Sequence, residues 1–166
     1  MTKLETATHV CLIGLCCLAA GLLIEQRFFS PAEEENPAHD LIGREVKLPG
    51  ANWQSAPLSV LLQISSKCRF CNESMPFYKQ LTTAGQARKI PMIVASRDAV
   101  DVMRKHLDEQ QVAVDRVLHS RLDEFRMGTP TVYVVDSKGM VKRVFIGKLD
   151  AAGEKQLLAI VEQGKI

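Results

Sequence analysis

Cys68 and Cys71, three positions apart, are the residues whose type and spacing could do chemistry. A C-x-x-C pair can close and reopen a disulfide, bind zinc together with a second pair, or carry a haem when histidine follows. Asn72 stands where that histidine would be, and the chain holds no second C-x-x-C. The motif therefore favours redox chemistry, with a static structural disulfide as the alternative.

The surrounding sequence predicts which of the two sulfurs reacts. A strand-like apolar run precedes the pair and a helical pattern follows it, which puts Cys68 at a helix N-terminus. Unpaired N–H groups and the helix dipole favour a thiolate there, and the flanking Lys67 and Arg69 favour it further. We expect Cys68 to attack a disulfide and Cys71 to resolve the resulting mixed disulfide.

A second motif is the Gly-Thr-Pro-Thr sequence at residues 128–131, which opens a β-branched run. A proline directly before a buried strand cannot donate to the ladder, so its position favours a special role. We predict that the Thr129–Pro130 peptide bond is cis and lies beside the cysteines. A bound peptide could pair with the backbone there, which makes Thr129 and Pro130 candidate substrate-binding residues.

The elements that must position these residues alternate along the chain. Strand–helix alternation predicts parallel pairing, and a turn signal at residues 136–139 adds an antiparallel hairpin. We therefore predict an α/β fold, with a mixed central β-sheet flanked by helices on both faces. The predicted strands cover residues 45–48, 58–64, 91–96, 116–119, 131–135 and 140–146, and the predicted helices cover 70–84, 99–111 and 149–163.

The N-terminal part predicts export. Residues 10–24 form an uncharged apolar run, short for a membrane span but compatible with a transmembrane anchor or a secretory signal. A proline-containing stretch with three consecutive glutamates follows and predicts a charged tether. We therefore divide the chain into an anchor or signal segment (1–29), a tether (30–40) and a folded domain (41–166). Either interpretation makes that domain extracytoplasmic.

Composition excludes other classes of protein. The net charge is only +2, and the basic residues are scattered rather than striped, so we expect no nucleic-acid partner. Three of the five cysteines lie in the apolar N-terminal run, which leaves Cys68 and Cys71 in the domain. We expect no cofactor and no metal site.

Taken in this order, the residues resemble the thioredoxin-like superfamily over roughly residues 42–166. The shared pattern is a buried strand, the C-x-x-C, a helix with Pro76 five residues after Cys71, and Thr129-Pro130 before a hairpin. With its apolar N-terminal run, the chain is similar to membrane-anchored TlpA/ResA-type thiol-disulfide oxidoreductases.

The resemblance implies that Cys68 is the attacking thiol, Cys71 the resolving thiol and Pro130 the cis proline. It also implies a domain on the periplasmic side of a bacterial inner membrane, with protein thiols and disulfides as partners. A membrane electron donor or acceptor and a role in cytochrome c maturation belong to the same expectation.

The sequence departs from the family pattern at several positions. No aromatic residue directly precedes Cys68, and Leu62 stands where thioredoxins keep a buried acid. The acid expected three residues after Cys71 is one residue early, as Glu73, which we treat as a candidate proton acceptor. Two alternatives stay open: a redox-inert binding or assembly module with a stable disulfide, and a thiol peroxidase, for which Ser65 and Ser66 are poor substitutes for the usual threonine.

Overall fold

A computed structural model describes residues 38–120, 122–125 and 127–165. The predicted anchor at residues 10–24 and most of the predicted tether lie outside these residues. Among the described residues, none of the helices combines the length and the apolar character that a membrane span requires.

A five-stranded mixed sheet forms the centre of the domain. Its order is β3-β2-β1-β4-β5, with β1, β2 and β3 parallel and with β4 antiparallel to both β1 and β5. The predicted mixed sheet is thereby confirmed. The strands are β1 (Leu58–Gln63), β2 (Met92–Ser96), β3 (Arg116–His119), β4 (Thr131–Asp136) and β5 (Val141–Ile146).

In the described part of the chain, four α-helices accompany the sheet, namely α1 (Arg69–Glu73), α2 (Met75–Arg88), α3 (Val100–Glu109) and α4 (Ala151–Gln163). The single helix predicted after the cysteines is two helices, α1 and α2, which meet at Ser74. Pro76 lies in the first turn of α2. Since proline has no N–H to donate to the carbonyl four residues earlier, the helical ladder cannot continue through this point.

The prediction of helices on both faces of the sheet is wrong. Side chains of α2, α3 and α4 all join one hydrophobic cluster, together with Val60, Leu62, Val94 and Val132 on one face of the strands. Strands β1, β2 and β3 step across the sheet in one direction. Because parallel crossovers are right-handed, both connecting helices must then lie on the same face.

The opposite face is covered by irregular chain. Leu61, Ile93 and Tyr133 point to this side, where they pack with residues of two segments, 41–53 and 122–127. The described parts of these segments contain only short 3-10 turns, at His39–Leu41, Trp53–Ser55 and Asp123–Phe125. The strand predicted at residues 45–48 is reduced to one isolated bridge, between Glu45 and Met140.

Candidate redox site

Cys68 and Cys71 lie where β1 gives way to helix. Cys68 caps the N-terminus of α1 in an extended conformation, and its Sγ accepts a hydrogen bond of 3.1 Å from the backbone N–H of Cys71. The two residues form a disulfide, with their Cα atoms 5.2 Å apart. An N–H aimed at Sγ also stabilises negative charge on that atom once the disulfide is opened.

The two sulfurs differ in access. Cys71 is 0% exposed and belongs to the hydrophobic core, whereas Cys68 is half-buried at the surface. An incoming partner can therefore reach Cys68 first. This difference in access agrees with the predicted roles, in which Cys68 attacks and Cys71 resolves, and the roles themselves stay predictions.

The segment at residues 128–131, which we call the proline loop, lies against the same sulfur. The Thr129–Pro130 peptide bond is cis, which confirms that prediction. The backbone carbonyl oxygen of Thr129 is 3.4 Å from Cys68 Sγ. Two hydrogen bonds fix the loop, one of 2.8 Å from Gly147 N–H to the Pro130 carbonyl and one of 2.8 Å from the Thr131 hydroxyl to the Gly128 carbonyl. The structure thus brings together all four cysteine and Thr-Pro residues singled out from the sequence.

Glu73, the candidate proton acceptor, is engaged in two ion pairs. Its carboxylate accepts hydrogen bonds from Lys148 Nζ and from Arg69 Nε, each 2.8 Å long. These hydrogen bonds hold the pKa of the Glu73 carboxyl below its ordinary value, and the bond from Lys148 contributes more than the bond from Arg69. Since a base of low pKa takes up a proton weakly near neutral pH, these pairs favour a charge-pairing role. The proton-acceptor role stays a prediction.

The loop that leads into Cys68 is held by Asp98, from the loop after β2. One carboxylate oxygen accepts hydrogen bonds of 2.7 Å from Ser66 N–H and of 3.2 Å from the Ser65 hydroxyl. Burial raises the pKa of Asp98, but the hydrogen bonds from Ser66 and Ser65 outweigh burial, so the pKa is lowered overall. Ser65 and Ser66 therefore position the loop.

Gln63, the last residue of β1, connects this strand to the residues that precede the proline loop. It is buried, donates a 3.1 Å hydrogen bond to the Met127 carbonyl, and accepts one of 2.8 Å from the Tyr133 hydroxyl. It also lines a cleft of about 310 Å³ that runs beside Thr129 and Arg97. Gln63 thus helps to fix the backbone that faces Cys68.

Sequence reasoning missed Gln63, Asp98 and Lys148. Gln63 carries a signal, since it is a polar residue inside an otherwise apolar strand. Asp98 carries another, because the carboxyl ends of the parallel strands β1 and β2 must meet at one edge of the sheet. Lys148 carries none, as its contact with Glu73 spans 75 positions of sequence.

The site offers little for a metal ion. Within the described part of the chain, no three residues among His, Cys, Asp and Glu come together in a group that could hold one.

His106, on α3, has its Nε2 atom 2.9 Å from the side-chain oxygen of Asn72, just after Cys71.

The fold is thioredoxin-like, with the C-x-x-C after a central strand and a cis proline before the neighbouring antiparallel strand. No protein-family model and no curated protein sequence matches the chain. The solved structures that it resembles share this fold at low sequence identity.

Three of these structures illustrate the likeness. A thioredoxin-family thiol:disulfide interchange protein from Chlorobium tepidum superposes with a TM-score of 0.53 at 15% identity, covering 66% of this chain and 82% of that one. A thiol:disulfide interchange protein from Bacteroides sp. gives 0.54 at 18%, covering 74% and 84%. A secreted Mycobacterium tuberculosis disulfide oxidoreductase gives 0.51 at 16%, covering 66% and 84%.

The role of Asp98 predicts a pH-dependent loss of stability on substitution. A carboxyl whose pKa is depressed by folding contributes stability above its unfolded pKa, about 3.9, and loses it as the pH falls through the folded-state value. We expect Asp98→Asn to lower the free energy of unfolding by about 1 kcal/mol at pH 7. The difference from the unsubstituted protein should shrink toward pH 3.

Urea unfolding at several pH values measures this difference. Asp108→Asn is the matched control, because Asp108 is an exposed carboxylate on α3 whose side chain makes no hydrogen bond to another described residue. A loss that does not change with pH, or one equal to that of the control, would contradict the anchoring role of Asp98.

Proposed function

We propose that this protein is a thiol–disulfide oxidoreductase that exchanges its Cys68–Cys71 dithiol and disulfide with protein partners. One observation carries the proposal: an accessible Cys68 sulfur at the start of α1 lies 3.4 Å from the Thr129 carbonyl and is bonded to a fully buried Cys71. The thiol:disulfide interchange proteins that share the fold support it.

The exchange transfers two electrons in two displacement steps. In the reduced protein, the Cys68 thiolate attacks one sulfur of a partner disulfide, whose S–S bond breaks and releases the first partner thiolate. That thiolate takes the proton of the Cys71 thiol, and the Cys71 thiolate attacks Cys68 Sγ and releases the second partner thiolate. The partner is reduced and Cys68–Cys71 is oxidised, while the same steps in reverse oxidise a partner dithiol.

Thr129 and Pro130 supply the binding surface for the partner. The hydrogen bonds to the Gly128 and Pro130 carbonyls hold the Thr129 backbone beside Cys68. We propose that an extended partner segment pairs with the Thr129 backbone as an added strand. Its disulfide would then be presented to Cys68 in a fixed direction.

The compartment and the membrane attachment belong to the same proposal. We propose that residues 10–24 anchor the chain in a bacterial inner membrane and that the domain faces the periplasm. Partners there would include a membrane electron donor or acceptor, and thiols of cytochrome c maturation. The apolar N-terminal run supports this, as does the secreted character of one oxidoreductase with the same fold.

Trapping tests the exchange chemistry. Cys71→Ser removes the resolving thiol, so we expect this variant, but not Cys68→Ser, to accumulate a stable mixed disulfide with a model protein disulfide. Cys68→Ser should lower the rate of disulfide reduction by at least about a thousandfold. Mass spectrometry of alkylated samples reads both results. No adduct and no turnover would instead assign the protein to the redox-inert binding modules.

Membrane attachment has its own test in cell fractions. We expect the full-length chain to stay in the membrane pellet after alkaline carbonate extraction. Protease added to spheroplasts should then release or degrade the domain. A chain that is extracted by carbonate, or a domain protected from the protease, would contradict the anchored periplasmic arrangement.

A further inference from the structure

A series of contacts connects Cys68, through the backbone at residues 129–130 and 147, to side chains of α1. Starting from the sulfur, contacts pass to Thr129, then from the Pro130 carbonyl to the Gly147 N–H at 2.8 Å. Lys148, the next residue, reaches Glu73 on α1, and Glu73 reaches Arg69 beside Cys68. We call these surroundings the rim, defined as Lys67, Arg69, Phe70, Glu73, Ile146 and Lys148.

Two large apolar side chains of the rim are exposed to solvent. Phe70, between the two cysteines, is 52% exposed, and Ile146, at the end of β5, is 40% exposed. Ile146 pairs with Thr131, so it lies next to the proline loop. Among the described residues only Ile42 and Val102 are comparably exposed large apolar side chains.

The charged groups of the rim are unbalanced. Three cations, Lys67, Arg69 and Lys148, stand against one carboxylate, Glu73. The Arg69 side chain is 84% exposed and that of Lys148 is 46% exposed, so both keep access to solvent while they contact Glu73. The Arg69 guanidinium also lies 6.0 Å from the centre of the Phe70 ring, which joins the cationic and apolar parts of the rim.

Two other carboxylates that lie close to rim residues along the chain or through a contact, Asp150 and Asp98, are directed at the backbone. Asp98 accepts the hydrogen bond from Ser66 N–H, and Asp150 caps α4 by accepting one from Gly153 N–H. The outward face of the rim therefore presents excess positive charge around an apolar contact. Such a surface complements a partner that places carboxylates and an apolar side chain close to its reactive cysteine.

We propose that the rim selects partner segments in which acidic residues and an apolar residue flank the exchanging cysteine. This rests on the proposed thiol–disulfide exchange and names the class of substrate for it. The cations attract the acidic flanks during encounter, and Phe70 and Ile146 bind the apolar side chain. Because the charges are exposed, the preference weakens as salt is added.

Matched peptides test the charge preference. The probes are blocked pentapeptides, dimerised through a central cysteine, that carry Glu, Gln or Lys on both sides of it. The reduced full-length protein, in non-ionic detergent, reacts with each. Every rate is divided by the rate of the same peptide with dithiothreitol, because flanking charges alter the intrinsic reactivity of a disulfide. We expect the Glu peptide to react roughly tenfold faster than the Lys peptide at low salt, and nearly equally at 1 M salt.

Variants locate the preference on the rim. Lys148→Gln should reduce the Glu-to-Lys rate ratio about threefold, whereas Glu73→Gln should increase it. Lys138→Gln is the matched control, since Lys138 is an exposed lysine in the turn at the opposite end of the β4–β5 hairpin. Lys138→Gln should leave the ratio unchanged.

A second pair of variants tests the apolar contact. For a peptide that adds leucine next to cysteine, Ile146→Ser should raise KM more than it lowers kcat. Ile42→Ser removes an equally exposed isoleucine outside the rim and should change neither constant. Equal effects of the two substitutions would contradict a binding role for Ile146.

The outcomes separate this proposal from the exchange chemistry. Bis(2-hydroxyethyl) disulfide, which is small and neutral, reports exchange without the rim. If it reacts but the Glu and Lys peptides react equally at low salt, the substrate class is wrong and the exchange function stands. If no disulfide reacts, both proposals fail. Equal peptide rates, together with stronger binding to anionic than to neutral vesicles that Lys148→Gln weakens, would assign the rim to a lipid surface and overturn the proposal.

Discussion

The site depends on the register in which β1 pairs with β4. Gln63, the last residue of β1, lies opposite Thr131, the first residue of β4. The chain that leaves β1 toward Cys68 and the chain that enters β4 from Thr129 are therefore neighbours at one edge of the sheet. A slip of one residue would turn every side chain of the strand to the other face, which would put the polar Gln63 among the apolar side chains that pack with Val60 and Leu62. Burial of the sheet thus fixes the contact between the sulfur and the proline loop.

Around this contact, polar groups hold three loops in position. Asp98 holds the loop before Cys68, Gln63 holds the loop before Thr129, and Lys148 connects the loop after β5 to Glu73 on α1. Each of these groups comes from a different part of the sequence. Together they leave Cys68 accessible while Cys71 remains buried, which is the asymmetry that ordered attack and resolution require.

Local sequence signals were sufficient for the central features of the site. The periodicity of apolar residues and the turn residues between the segments predicted the mixed sheet. The position of Pro130 before a β-branched strand predicted the cis bond. Two of the errors in the fold have a common cause, because neither the face on which the helices lie nor the pairing of residues 45–48 is decided by local sequence pattern. The helices share one face because β1, β2 and β3 step in one direction. Residues 45–48 bond to the β4–β5 hairpin at only one bridge, so propensity did not decide their conformation.

The ion pairs around Glu73 show why a role assigned from spacing needs a structure. From the sequence, an acid close to Cys71 resembles a proton acceptor. In the fold, Lys148 and Arg69 pair with it and lower its pKa. The sequence contained all three residues but gave no means of connecting Lys148 to α1, because surface pairs between distant elements leave no periodic pattern.

The reduction potential of the Cys68–Cys71 pair tests the central claim most directly. Equilibration in glutathione and dithiothreitol buffers, followed by alkylation and mass measurement, gives the value. An exchanging pair should fall between about −270 and −120 mV, the range of known protein dithiol oxidoreductases. A value below about −300 mV, with no reaction toward added thiols, would contradict the account and mark the disulfide as structural.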